Sequence, residues 1–134
     1  SVESVLAHIL FSVPAIKGLE FGSGFGIAEM LGSEANDSYY YDGDQIKTRT
    51  NHNGGILGGI TDGMPIIYKV AIKPPASITK LQQTINIEDK TAAELSVEGR
   101  HDPIIVPRAI PVLEAVTAIA ILDLLLDSKF YKYD

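Results

Sequence analysis

The chain has 134 residues, 46% of them hydrophobic, so it is long enough for one domain with its own core and too apolar for a disordered tail. Its formal net charge of −6 argues against a general nucleic-acid binder. The absence of cysteine excludes a disulfide framework and thiolate chemistry, and it fits a reducing, cytoplasmic compartment.

The N-terminal part of the chain predicts a helix, a strand and a short helix in succession. Apolar residues at helical spacing predict a helix over 2–11, which Pro14 ends. Alternation predicts a strand over 15–22, and residues 24–31 suit a short helix. The polar, glycine-bearing stretch 33–53 predicts a mobile loop or lid.

The second half predicts three strands and one long helix. A segment rich in Ile, Val and Tyr predicts a strand over 65–72, and further short strands are predicted over 84–87 and 94–97. A helix is predicted over 111–127, with Pro111 in its first turn, where the missing N–H costs nothing. Helices mixed with short adjacent strands predict an α+β fold with antiparallel sheet.

The predicted C-terminal helix is apolar nearly all round and must be covered on most sides. Glu114, Thr117 and Asp123 interrupt it, and it is short for a membrane span, so we predict a core or interface helix and no membrane contact. A partner subunit or a segment outside this chain would supply the missing cover. The chain also opens as a helix already under way, which suggests a piece of something longer.

The glycine-rich stretch 54–63 allows two interpretations. Its five glycines permit positive φ, so its N–H groups could cradle a phosphate or face a planar cofactor. It could equally be a tight turn between packed layers. It is not a Walker motif, and the near-match at 22–27 lacks the third glycine of a dinucleotide fingerprint.

Two proline-rich segments carry the strongest chemical signal. Lys73 follows a predicted strand and precedes two prolines, which suits a phosphate contact, although an ordinary polar loop is the simpler interpretation. Arg100 lies two residues before Asp102, and Arg108 follows in a stretch stiffened by prolines. A salt bridge within the loop is the simple interpretation of this pair; we favour a pocket for a small anion.

Metal and triad chemistry find no support in the sequence. His8, His52 and His101 show no metal-ligand spacing, and no cysteine helps. No Gly-x-Ser-x-Gly motif occurs. We therefore predict no metal site.

Taken in order, the motifs of this chain resemble the chorismate synthase family, and the resemblance covers nearly the whole chain. The matching segments are PAIKGLEFGSGF at 14–25, GSEAND at 32–37, TNHNGGILGGITDGMPI at 50–66, KPPASI at 73–78, GRHDP at 99–103 and VPRAIPVLEA at 106–115. The resemblance implies that residues 1–134 form the C-terminal part of a β-α-β sandwich. The family's two catalytic histidines belong to the N-terminal portion, so no histidine here receives that role.

The resemblance implies a lyase that converts 5-enolpyruvylshikimate 3-phosphate to chorismate and phosphate by 1,4-elimination, in aromatic amino-acid biosynthesis. It implies reduced FMN as cofactor, without net redox change, and a cytoplasmic homotetramer. Whether NADPH serves as the reductant stays open. The fragment alone is expected to be inactive, because the missing portion supplies proton donors and substrate contacts.

The resemblance also assigns residues. Asp102 would assist proton removal near the flavin, and Arg100 would reach both flavin and substrate. The implied flavin contacts are Pro14, Ala15, Gly58, Lys73, Pro74, Pro75, Ala76, Ser77 and Arg100. At Pro75 many relatives carry a hydroxyl residue, whereas Ser77 keeps the later hydroxyl. Two alternatives remain: a non-catalytic FMN-binding or oligomerisation module, and an unrelated structural α+β protein.

Overall fold

The computed structural model describes residues 1–130, so the last four residues of the predicted domain lie outside the described range. Two α-helices are α1 (Val2–Phe11) and α2 (Val106–Phe130), and a 3-10 helix covers Gly24–Glu29. The strands are β1 (Ile16–Phe21), β2 (Tyr39–Asp42), β3 (Gln45–Thr48), β4 (Ile56–Leu57), β5 (Ile60–Thr61), β6 (Tyr68–Ile72), β7 (Gln82–Asn86) and β8 (Thr91–Leu95). Within the described residues these strands form four antiparallel pairs, which confirms the α+β prediction.

Helix α1 has the bounds that its apolar spacing predicts. Leu6 and Leu10, one turn apart on its inner face, are completely buried. The Ser12 hydroxyl donates to the Ile9 carbonyl at the helix end. Ala15 then takes a left-handed φ of 72°, an uncommon conformation for a residue with a Cβ, and turns the chain into β1.

Strands β1 and β6 form an antiparallel ladder beside α1. Leu19 pairs with Val70 and Phe21 with Tyr68, and both pairs pack against the buried core. The Tyr68 hydroxyl lies 2.7 Å from the Thr117 hydroxyl, which joins the ladder to α2. One sheet face and two helices thus share a single core.

The structure corrects the prediction of a loop or lid over 33–53, because this stretch contains the hairpin β2–β3. Tyrosine favours strands, and Gly43 supplies the positive φ of 63° that the two-residue turn requires. An ion pair between Lys47 and Asp42 closes the hairpin end. The strand preference of three consecutive tyrosines thus outweighs the polar composition of this stretch.

The glycine-rich stretch is also a hairpin, β4–β5. Its turn residues Gly58 and Gly59 have φ of 62° and 86°, and two successive positive values are typical of a type I′ turn. Of the two interpretations of this stretch, the tight turn is therefore the conformation observed. The later strand predictions, 84–87 and 94–97, shift to β7 and β8, which pair with each other.

Helix α2 begins five residues before its predicted start. Pro107 lies in the first turn, where no N–H is needed, so Pro111 falls inside the helix and leaves the Pro107 carbonyl without its i+4 donor. Leu113 and Ala120 are buried against α1. Ile119, Leu122 and several other apolar side chains on α2 remain exposed.

By length and composition alone, the stretch Val106–Lys129 of α2 could cross a membrane, and 11% of its most apolar part is buried. The two helices run antiparallel. Ser1 and Val2, at the start of α1, lie beside residues 121–128 near the end of α2. Ile72 and Lys73 lie beside Val106 at the start of α2, and Lys73 is hydrogen-bonded to Ala15, which follows α1. The ends of this layered arrangement carry the polar groups considered next.

Candidate functional site

Two of the predicted ligand-binding segments meet at one end of the β1–β6 ladder. The Lys73 backbone N–H donates to the Ala15 carbonyl over 2.7 Å, which extends the ladder beyond the Ile16–Ile72 pair. Pro14 and Ala15 therefore lie next to Lys73 and the prolines that follow it. We call this region the Lys73 end.

The Lys73 end also reaches the segment that follows Asp102. A cleft of about 150 Å³ separates residues 72–75 from residues 103–106, just before and within the first turn of α2. Prolines line both of its sides: Pro74, Pro75 and Pro103. Because proline fixes φ, these walls are stiffer than ordinary loops.

Asp102 forms an ion pair, but not with the arginine that the sequence suggested. Its Oδ2 lies 2.7 Å from Nη1 of Arg108, and within the described residues Arg100 forms no salt bridge. The chain passes directly from Asp102 into α2, so the first turn brings Arg108 back beside the carboxylate. The pair is exposed and contributes little to stability.

The Arg100 side chain forms no hydrogen bond or salt bridge with another of the described residues. It is exposed, it follows Gly99 with φ of 132°, and the neighbouring His101 ring nitrogen Nε2 lies 2.8 Å from the Val97 carbonyl oxygen. Lys73 and Ser77 are exposed as well. The exposed Lys73 and Arg100 side chains are therefore both available to an anion.

Gly58 lies away from the Lys73 end. The Val2 N–H donates to the Gly59 carbonyl over 2.8 Å, which places the β4–β5 turn at the start of α1. Pro14 lies beyond the other end of that ten-residue helix, about 15 Å away at 1.5 Å per residue. A single copy of the chain thus gathers Ala15, Lys73 and the 103–106 segment, but not Gly58.

The opposite end of the ladder holds a buried carboxylate that the sequence reasoning overlooked. Asp37 is 6% exposed. Its Oδ1 accepts from the Thr50 hydroxyl and the His52 N–H, both at 2.8 Å. Its Oδ2 accepts from the Asn53 N–H at 2.8 Å and the Asn53 side-chain amide at 2.9 Å. We call this region the Asp37 end.

Burial alone would raise the pKa of Asp37. The hydrogen bonds from the backbone N–H groups of Asn53 and His52, with those from the Thr50 hydroxyl and the Asn53 amide, outweigh burial and hold the pKa below its ordinary value. The carboxylate is therefore charged in the folded protein at neutral pH. Its sequence signal was the run of turn-forming Asx and Thr residues on both sides of the β2–β3 hairpin.

A second layer of contacts surrounds Asp37. Asn51 accepts from the Gly55 N–H at 2.7 Å and donates to the Pro65 carbonyl at 2.9 Å. The Ser23 hydroxyl lies 2.8 Å from Nδ1 of His52. A Cβ on Gly22 would lie 2.1 Å from the His52 carbonyl oxygen, so only glycine allows this backbone approach.

The chemistry of the two ends is different. Among residues 1–130, no group of three or more potential metal ligands occurs. At the Asp37 end the carboxylate is fully hydrogen-bonded by neighbouring residues, which makes this end rigid. The Lys73 end offers stiff walls and the exposed Lys73 side chain, and the Asp102 carboxylate directly precedes its wall at Pro103. The fold and the site together define an α+β protein whose open, cation-bearing cleft suits a small anionic ligand.

Comparison with known proteins identifies the family. The family profile described as chorismate synthase matches residues 1–126. The chorismate synthase of Methanococcus aeolicus is 54% identical over 126 residues, which cover 93% of this chain and 34% of that protein. The enzyme of Lachnoclostridium phytofermentans is 52% identical over 135 residues, covering 99% of this chain and 36% of that protein.

A crystal structure of chorismate synthase superposes with a TM-score of 0.72 at 32% identity, covering 95% of this chain and 31% of that one. The chain belongs to the chorismate synthase family, as the motifs indicated. It spans about a third of the length of the relatives it matches.

Proposed function

We propose that this chain acts as the C-terminal segment of a chorismate synthase, a lyase that forms chorismate and phosphate from 5-enolpyruvylshikimate 3-phosphate. The observation that carries the proposal is the family match over residues 1–126, with relatives at about half identity. The geometry adds support, because the hydrogen bond between Lys73 and Ala15 joins two of the predicted flavin-contact segments.

Reduced FMN is the proposed cofactor, and it would supply an electron-rich ring that assists loss of phosphate and of a ring hydrogen. Pro14, Ala15 and the segment 73–77 fit such a group, since they adjoin one another beside an open cleft. Gly58 fits only if the ligand extends along the fold or a second copy supplies this residue, because about 15 Å separates it from Pro14.

The roles of the charged residues follow from the charge of substrate and cofactor. A phosphate and carboxylates entering a closed site lose hydration, which is costly unless cations replace the water. Lys73 and Arg100, both exposed in this chain, are the proposed partners. Asp102, held 2.7 Å from Arg108, is the proposed proton acceptor.

The exposed face of α2 supports a larger assembly. Ile110, Ile119, Leu122 and Leu125 are each about half exposed, a costly arrangement for a helix in water. We propose that the remaining polypeptide and neighbouring copies in a cytoplasmic homotetramer cover this face. Light scattering of the complete polypeptide tests the assembly, and a monomer with α2 accessible to water would contradict it.

The activity test compares the complete polypeptide with residues 1–134 alone. Both receive 5-enolpyruvylshikimate 3-phosphate and chemically reduced FMN without oxygen, and phosphate and chorismate are measured. We expect turnover only by the complete polypeptide. Robust chorismate formation by residues 1–134 would contradict their proposed dependence on the missing portion.

Tight FMN binding by the complete polypeptide without turnover would instead favour a non-catalytic flavin-binding module. Adding NADPH in place of the chemical reductant tests whether the protein reduces its own flavin.

A further inference from the structure

The hydrogen bonds of Asp37 all come from one short stretch of chain. Its four donors belong to Thr50, His52 and Asn53, which lie 13 to 16 residues further along the sequence. Two of these donors are backbone N–H groups. The carboxylate therefore fixes the course of the backbone at 50–53 and does not merely satisfy neighbouring side chains.

This fixed stretch leads directly into the glycine hairpin. Gly54 and Gly55 follow it and are buried against other backbone: a Cβ on Gly54 would lie 2.4 Å from the Gly22 nitrogen, and one on Gly55 2.5 Å from the Pro65 oxygen. Strand β4 begins at the next residue, and two residues of strand separate Gly55 from Gly58. A shift at 50–53 would therefore propagate to the Gly58 turn.

We propose that Asp37 is a positioning residue of the enzyme: its carboxylate sets the Thr50–Gly55 turn and, through it, the Gly58 turn that would contact the flavin. The inference rests on the proposed function, since the role of Gly58 belongs to it. Asp37 touches neither flavin nor substrate in this scheme. It acts through the backbone that it holds.

The charge of Asp37 matters as well as its shape. An ionised carboxylate only accepts hydrogen bonds, and its two oxygens here face four donors. An asparagine at this position would keep the shape but replace one acceptor oxygen with an NH₂ group. That group would face either the two donors at Oδ1 or the two at Oδ2. Asp37→Asn should therefore displace the turn without opening a cavity.

The test measures FMN binding by the complete polypeptide with Asp37 and with Asp37→Asn. Fluorescence titration gives both the Kd and the number of binding sites. We expect the Kd to rise about tenfold, the number of sites to stay constant, and kcat at saturating FMN to fall less than threefold. A purely structural role would lower melting temperature and the number of sites but leave the Kd of the folded fraction unchanged, and that result would overturn the proposal.

Asp44→Asn is the matched control. It makes the same chemical change on an exposed aspartate of the β2–β3 turn, so its Kd should stay within twofold of the unchanged protein. If Asp37→Asn does not fold, Thr50→Val removes a single donor, and an approximately threefold rise in Kd is then expected. No change with Thr50→Val would count against the inference. Failure of the unchanged protein to bind FMN would count against the proposed function itself.

Discussion

The two ends of the β1–β6 ladder differ in the burial and hydrogen bonding of their charged groups. At the Asp37 end a buried carboxylate meets four donors, and glycines allow backbone segments to touch. At the Lys73 end the lysine is exposed, and the ion pair of Asp102, just before Pro103, lies at the surface. Saturated hydrogen bonding favours rigidity, whereas unsatisfied charge favours a ligand. We therefore propose that the Asp37 end supports the fold and that the Lys73 end binds the ligand.

The largest expected effect comes from removing Arg100, a cation proposed to act together with the Lys73 end. Arg100→Ala in the complete polypeptide should weaken binding of flavin or substrate by about 2–5 kcal/mol, the cost of truncating one member of a desolvated charge pair. Titration with FMN and with substrate measures the loss. Arg49→Ala is the control, because Arg49 is an exposed arginine that stacks 5.3 Å from the Tyr40 ring. A loss below about 0.5 kcal/mol for Arg100→Ala would make it an ordinary surface residue.

The second prediction concerns the carboxylate at the same end. Asp102→Asn should lower kcat roughly 100-fold, the usual scale of a lost proton acceptor, and leave folding intact because its ion pair is exposed. Steady-state rates and thermal melting measure the two effects. Arg108→Gln breaks the same 2.7 Å ion pair but keeps the carboxylate, so it separates proton transfer from positioning. An unchanged rate in Asp102→Asn would remove this residue from the mechanism.

The third prediction tests rigidity at the Asp37 end with two glycines of similar conformation. Gly22 and Gly43 have φ of 55° and 63°, so alanine pays a comparable backbone cost of about 1–2 kcal/mol at each. A Cβ on Gly22 would overlap the His52 carbonyl, whereas one on Gly43 meets nothing within 4 Å. Gly22→Ala should therefore destabilise by about 1–3 kcal/mol more than Gly43→Ala. Equal unfolding midpoints in urea for the two variants would show that the backbone around Gly22 moves to accommodate the methyl group, and that the Asp37 end is not rigid.

Periodicity predicted most of the fold, because long apolar patterns leave few alternatives. Helix α1 and the β1–β6 strands follow directly from their spacing. The bounds of α2 were wrong because Pro107 and Pro111 are both compatible with an early helical turn, and only tertiary packing selects between them. The β2–β3 hairpin was missed because its stability depends on its ends, where Thr48 is buried and Asp37 holds the following turn.

The site was less predictable than the fold. Motif resemblance names Lys73 and Arg100, but spacing along the chain cannot show that Asp102 pairs with Arg108 across the start of α2. Nor can it show that Gly58 sits at the far end of α1, since that depends on a backbone contact with Val2. Such contacts between distant segments arise only when the elements have packed.

The smallest expected effect is a pH dependence that belongs to the Asp37 end. Because the folded pKa of Asp37 lies below its unfolded value of about 3.9, the carboxylate stabilises the fold above pH 4, and this contribution disappears as pH falls through the folded pKa. Asp37→Asn should lose about 1–3 kcal/mol of unfolding free energy near pH 6, the cost of breaking buried hydrogen bonds. The difference from the unchanged protein should shrink steadily below pH 4.

Urea unfolding of both proteins between pH 2 and 7 gives this difference directly. The other titratable groups are the same in both proteins, so their contributions to this difference cancel. A difference that stays constant from pH 7 to pH 2 would mean that shape, and not charge, holds the turn. The same series on Asp44→Asn should show almost no difference at any pH, since its carboxylate is exposed. Charge-dependent stability confined to Asp37 would thus separate the rigid end of the ladder from the rest of the acidic surface.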